Sequence, residues 1–432
     1  MRSNFNYWRD KLCSDFARRK LAQLKYGELT VKWPDGREEV FGKCGIGEKA
    51  DLKVIKERLF YRLVKDGGIG FGEAYVDGDF ESSDLTALLR LLLNNFNELD
   101  ESKLNILKPF RWLNYLRHTL RSNNLKGSRK NIQAHYDLSN EMFALFLDDT
   151  MTYSSGIYRK PEDSLKQAQL NKLDAIIEKA QIKASDHVLE IGSGWGSFAI
   201  RAAMQTGCRV TSITLSQEQL KLARKRAFEL GLSERVKFEL IDYRKVQGSF
   251  DKVVSIEMLE AVGKEFLPDY FGAIERLLKP DGIAVVQVIT MPDSCYDDYL
   301  TRSDWIQEYI FPGSHLPSIG ALQEAISGSS KLVIENMENI CLHYARTLRE
   351  WRENFVGQKD KLEELGYDQR FQRTWAFYLC CCEAEFATRW LGDFQIVLTR
   401  ANNNSFRAKS ELAALKELPA GKRHEVAALK VA

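Results

Sequence analysis

Apolar and polar residues alternate with a period of two on either side of Pro34-Asp35-Gly36, across Leu29–Gly42. That spacing predicts a β-hairpin, because an extended strand sends alternate side chains to opposite faces and the tripeptide reverses the chain. The next stretch mixes a short strand, glycine turns and an amphipathic helix opening at Asp84. From about residue 160, helical and extended periods alternate. A helix opened by Pro161 carries Leu165, Leu170, Leu173, Ile177 and Ala180 near helical spacing. Strand candidates follow at 187–192, 209–215, 236–242, 250–258 and 282–290, with helical stretches such as 217–231 and 266–280 between them. A late helix around 372–390 precedes one more alternating strand at 394–400. Such alternation predicts an α/β domain built on a largely parallel sheet. The polar, breaker-rich run 121–131 marks a boundary. The expected organisation is a small α+β unit over 1–120, a linker over 121–134, the α/β domain over 135–402 and a loose tail over 403–432.

Composition adds exclusions. Of the 432 residues, 44% are hydrophobic and 28% charged, ordinary for a water-soluble fold of two domains. No run of eighteen apolar residues offers a membrane span, and the charged first dozen residues lack an export core. Eight cysteines, three of them adjacent at Cys380–Cys382, show no zinc-ligand spacing. A reduced, cytoplasmic setting is expected. The net charge of +2 is unevenly spread: Lys103–Tyr136 holds no acid but eight lysines and arginines, interleaved with Trp112, Leu113, Tyr115 and Leu116. Two readings stand, a solvated linker helix or a face for anionic lipid. Nucleic acid is not expected as a partner, since the aromatics are too few and too clustered for a stacking track.

The candidate chemistry begins at "LEIGSGWG" (189–196). Gly192, Gly194 and Gly196 follow a strand and open a helix, where glycine allows positive φ and a close backbone approach to a ligand. The spacing is GxGxG, not the GxGxxG of dinucleotide sites, and Trp195 fills space a pyrophosphate would need. Glu190 ahead of the turn would repel a diphosphate and suit a ligand bearing an ammonium and a sulfonium. S-adenosylmethionine is such a ligand. Gln219, after the second strand, is placed for ribose hydroxyls, and Asp242, ending the third, for an adenine amino group.

Further motifs carry a resemblance: "HYDLSNEMFALFLDDTMTYSSGIY" (135–158), "TLSQEQ", "DYR", "SIEMLEAVG" (255–263) and "EYIFPGSHLPS" (308–318). With the glycine turn, they make the chain from His135 to Arg400 resemble the cyclopropane-fatty-acyl-phospholipid synthase family, which includes the mycolic acid cyclopropane synthases. The resemblance implies a seven-stranded, Rossmann-like class I methyltransferase sheet behind a small N-terminal α+β domain that engages lipid. A last strand after a late helix fits that sheet. It also implies S-adenosylmethionine-dependent action on the cis double bond of phospholipid acyl chains, with bicarbonate as the base, at the cytoplasmic face of the cell membrane, and hints at a homodimer.

Carried over by motif, the donor would meet Tyr153, Ser154, Gly192, Gly194, Thr214, Leu215, Gln219, Asp242 and Tyr243. The bicarbonate site would be Ser155, Glu260, Gln287, the main chain of Ile289, and Tyr344. Tyr309 and Phe311 are candidate aromatic faces for a passing cation, or plain core.

Three positions depart from the family pattern: Ser155 replaces a cysteine, Ala261 a histidine, and Gln287 a second histidine. Glutamine can donate to an anion but cannot hold a proton at neutral pH. Cyclopropane formation is the leading expectation. A methyl- or methylene-branched product on the same substrate is the alternative, because a weakened base gives the cation time for a hydride shift. Two rivals are an amine methyltransferase and a lipid-binding protein without catalysis. Intact Glu190 and Glu260 argue against the second.

Overall fold

A computed structural model of the chain describes residues 2–43, 45, 47–95, 139–403, 405 and 406. The basic segment 103–136, the expected linker at 121–134 and the tail beyond Phe406 lie outside the described residues. The principal helices are α1 (Arg2–Leu21), α2 (Arg58–Val76), α3 (Leu85–Asn94), α4 (Leu165–Lys179), α5 (Ser197–Thr206), α6 (Gln217–Glu229), α7 (Leu267–Leu277), α8 (Ile319–Ser329), α9 (Cys341–Gly357) and α10 (Gln369–Ala387).

The expected hairpin is present as β1 (Glu28–Lys32) and β2 (Glu38–Gly42), paired antiparallel. With β3 (Lys49–Val54) and β4 (Phe80–Glu81) they form a small sheet in the order β2-β1-β3-β4. The Asp84 side chain caps α3 by accepting from Ala87 N, as the sequence implies.

Seven strands build the second sheet: β5 (His187–Ile191), β6 (Arg209–Thr214), β7 (Val236–Leu240), β8 (Phe250–Ile256), β9 (Leu278–Thr290), β10 (Leu332–Asn339) and β11 (Gly392–Arg400). Their order is β10-β11-β9-β8-β5-β6-β7, with β11 antiparallel to both neighbours and β5 through β9 parallel. This is the α/β class expected. Apolar residues on both faces of β5, β8 and β9 sit in two separate cores, as burial between helical layers requires.

Two local expectations fail for identifiable reasons. Pro161 does not open α4. The helix starts four residues later, where the Ser164 side chain accepts from Gln167 N. Residues 161–164 instead form a turn around Asp163, whose carboxylate accepts from Arg159 N and Lys160 N. β10 escaped the pattern because it is an edge strand with mostly polar residues outward and a bulge between Ile334 and Asn336.

The N-terminal unit shares its core with the larger domain. One apolar cluster runs from Leu29, Val31 and Phe60 to Trp305, Trp375, Phe377 and Leu379. Buried Glu383 on α10 accepts from Arg349 and Arg352 of α9 and from the Thr86 hydroxyl of α3. Gly72 of α2 lets the Trp305 ring approach: a Cβ at that position would fall 2.5 Å from Trp305 and 2.8 Å from Phe377. Overpacking of this kind costs 1–3 kcal/mol. Gly72→Val is therefore expected to destabilise the whole protein by about 2 kcal/mol in urea unfolding, whereas Gly36→Val, where a Cβ meets nothing, calibrates the strain of a turn glycine alone.

Candidate active site

The carboxyl ends of β5, β6, β7 and β8 open into one cavity, where a doubly wound sheet binds its ligand. Tyr153, Ser154, Glu190, Gly192, Gly194, Thr214, Leu215, Gln219, Asp242 and Tyr243, all expected to hold the donor, line it. Gly192 and Gly194 adopt φ of 97° and 48°, and a Cβ on Gly194 would meet only open space. Gly196 is different. A Cβ there would lie 2.9 Å from Phe238 and 3.1 Å from Ala223, so it serves helix-on-strand packing and does not line the cavity. The Trp195 ring turns into the core, donating to Asn140 at 2.7 Å.

Glu190 is buried, and Ser212 donates to it at 2.5 Å. Burial pushes its carboxyl up to about 8, with Ser212 and Lys172 acting in the opposite direction. A cationic ligand would draw it back toward the anion. Thr214 donates to the Gln219 carbonyl at 2.8 Å, and Ser216 caps α6. Burial acts to raise Asp242, but hydrogen bonds from Arg244 outweigh it and hold the carboxyl below the usual range.

The wall beyond Ser154 is aromatic. The Tyr153 ring lies 5.4 Å from Phe143, 5.2 Å from Trp351 and 6.5 Å from Phe311, and its hydroxyl meets that of Tyr378 at 2.9 Å. Phe311 thus belongs to this wall. Tyr309 does not: it is 42% exposed, packs on Trp305 and donates to Glu73 of α2.

Ser155, Gln287 and Tyr344, expected around a bicarbonate, do converge, but on a side chain of the protein. Glu257 accepts from Ser155 N at 2.8 Å and Gln287 Nε2 at 2.7 Å on one oxygen, and from the Tyr344 hydroxyl at 2.8 Å on the other. Glu257 lines the cavity and takes φ of 46°, a conformation costly for a residue with a Cβ and characteristic of functional sites. Burial raises its carboxyl, while Ser155 N, Lys172, Tyr344 and Gln287 oppose the shift. Ser155 contributes its main chain; its hydroxyl donates to Gly156 O.

Glu260 accepts from Ile289 N at 2.6 Å, so these two residues, expected to hold a free ion, meet each other. Its second oxygen has no partner among the described residues, and burial, then the Glu257 charge, pushes it up to about 8. With its donors engaged by Glu257, the site does not fit a free bicarbonate held by the same groups.

Sequence reasoning missed Glu257, Lys172 and Asp393. Glu257 stands in the same "SIEMLEAVG" motif as Glu260, three residues ahead of it. Lys172 interrupts the buried face of α4 and donates to the Ser154 hydroxyl at 2.7 Å with its side chain wholly covered. A charged residue on an apolar helix face was the available signal.

A cavity at the sheet's carboxyl edge, a three-glycine turn after an acid and an aromatic wall define a class I methyltransferase architecture. A model of the mycolic acid cyclopropane synthetase family matches residues 123–396. Tuberculostearic acid methyltransferase UfaA1 of Mycobacterium tuberculosis is 41% identical over 351 residues, covering 80% of this chain and 82% of that protein. The cyclopropane-fatty-acyl-phospholipid synthase of Escherichia coli K12 is 33% identical over 383 residues, covering 87% and 95%. Among solved structures, mycolic acid cyclopropane synthase CmaA1 from a complex with SAH and CTAB superposes with a TM-score of 0.59 at 28% identity, covering 63% of this chain and 98% of that one.

The chain belongs to the mycolic acid cyclopropane synthetase family. It is an S-adenosylmethionine-dependent methyltransferase of the lipid-modifying kind.

Gly194→Ala places a methyl group in the cavity at a left-handed position. We expect calorimetry to show donor affinity lowered by about tenfold or more with only a modest loss of thermal stability; unchanged affinity would remove the glycine turn from the donor site.

Proposed function

We propose that the chain methylates the cis double bond of an unsaturated acyl chain in membrane phospholipid and leaves a methylene branch. The observation that carries this reading is the convergence of Ser155 N, Gln287 Nε2 and the Tyr344 hydroxyl on Glu257. S-adenosylmethionine supplies an electrophilic methyl group and departs as the neutral thioether.

The alkene's π pair bonds the methyl carbon, and the neighbouring alkene carbon becomes cationic. The aromatic wall around Tyr153 excludes water and offers π faces to that cation. Glu257 then removes a proton from the added methyl. Immediate removal closes a cyclopropane. Removal after a hydride shift to the first cationic carbon places the double bond on the added carbon. Three donated hydrogen bonds lower the basicity of Glu257 and fix its direction of approach, which favours the slower, branched outcome. The name of the relative UfaA1 points the same way. The Escherichia coli relative is named for the ring product, so the two isomers must be separated by experiment.

Lipids from cells expressing the protein should gain one CH2 unit per modified chain and still be cleaved by ozone. Ozone resistance of that material would establish the ring instead. Glu257→Gln should lower product formation by about 100-fold or more with donor binding retained.

The substrate's location makes a phospholipid surface the partner. α1 exposes Tyr7, Trp8, Lys11 and Leu12 on one face, an aromatic, aliphatic and basic set suited to the bilayer interface. Trp8→Ala with Leu12→Ala is expected to weaken binding to oleoyl phosphatidylglycerol vesicles by about tenfold, read by co-sedimentation; undiminished binding would remove α1 from the contact.

A further inference from the structure

Beside Glu257 lies a second carboxyl with almost nothing to hold it. Asp393, near the start of β11 and opposite Ile289 of β9, is fully buried. Its Oδ2 accepts from Gln287 Nε2 at 3.2 Å, the same amide nitrogen that donates to Glu257 at 2.7 Å. Its Oδ1 has no hydrogen-bond partner among the described residues.

The orientation of that shared amide is fixed from behind. Gln395 Nε2 donates to the Gln287 carbonyl at 2.9 Å, and Lys179 Nζ donates to the Gln395 carbonyl. Gln287 must therefore present its NH2 group to the two acids.

The charges facing Asp393 come from several elements. Glu257 and Glu260 follow β8, Lys172 lies on α4, and Tyr344 and Cys341 lie on α9. Three buried carboxyls thus stand against one ammonium, and they cannot all be ionised. Donor supply decides where a proton rests. Glu257 has three donors, Glu260 has one at 2.6 Å, and Asp393 has one at 3.2 Å, the longest of these bonds. Burial, then Glu257 and Glu260, pushes Asp393 well above the ordinary carboxylate range.

We propose that Asp393 holds a proton at neutral pH and thereby lets Glu257 stand ionised beside it, the two acting as a carboxyl pair in which Asp393 is a positioning residue. This rests on the reading of Glu257 as the base. It also gives a reason for the glutamine at 287, which can bridge the pair but cannot take the proton from it. In the reaction, after the hydride shift, the C–H pair of the added methyl becomes the π pair of the double bond to that carbon, and the proton passes to Glu257. The pair then carries two protons, and one returns to solvent once the product leaves.

Asparagine is a neutral isostere of the protonated form, so Asp393→Asn separates the two states of this residue. Full-length enzyme is assayed on oleoyl phospholipid vesicles with S-adenosylmethionine across pH. In the variant, the pH at which the rate falls on the acid side should stay where it is. An ionised Asp393 would instead have raised Glu257, and its removal would move that acid limb down by about one pH unit or more, overturning the proposal.

Infrared spectra of protein carrying isotope-labelled aspartate give a readout independent of turnover and of the variant's folding. Wild type should show a protonated aspartate at neutral pH. In Glu257→Gln, where the neighbouring charge is gone, that group should ionise at lower pH. Absence of the band, or a band indifferent to Glu257→Gln, overturns the proton's placement on Asp393. Turnover surviving in Glu257→Gln would instead overturn the base assignment.

Discussion

The active centre depends on one buried carboxylate and the three donors aimed at it. Glu257 follows β8 in a left-handed backbone conformation, and its side chain collects a main-chain N–H from the 151–158 loop, an amide from β9 and a hydroxyl from α9. Each donor comes from a separate element, so the carboxylate can be satisfied only when all of them are seated. Leaving such a group unpaired in a dry site costs several kcal/mol. The same convergence that orders the loop also places a proton acceptor at the edge of the donor cavity. Because that acceptor is tied to the chain, the groups that would seat a small free anion are already occupied.

The rest of the molecule keeps that carboxylate dry and aimed. The parallel strands carry Glu190, the glycine turn and Asp242 to one edge. α4 holds the opposing loop, with Gln169 donating to Ser154 O and Lys172 to the Ser154 hydroxyl. Behind the loop, aromatic side chains from α9 and α10 form a wall continuous with the N-terminal core. Glu383 and the Gly72–Trp305 contact bind the small sheet to that wall. The N-terminal unit therefore buttresses the aromatic wall of the site.

Much of this was legible in the sequence. Short apolar runs between helical stretches located six of the seven strands in the large sheet, because buried parallel strands are nearly all apolar, and the GxGxG turn after Glu190 marked the donor side. β10 was hidden because an edge strand needs only one buried face. The opening of α4 was misplaced because a proline is a weaker start signal than a serine whose side chain caps the helix. Gly196 looked like its two neighbours, although its role is packing against Phe238. Glu257 was missed for a topological reason. Ser155, Gln287 and Tyr344 were identified as anion donors, but only the fold reveals that the anion they meet is Glu257, three residues before the glutamate singled out.

The central claim is that the chain carries its own base. Turnover on oleoyl phospholipid vesicles in buffer stripped of carbon dioxide, with and without added bicarbonate, tests it most directly. The account predicts equal rates in the two conditions. A rate that collapses on stripping and returns with bicarbonate would contradict it.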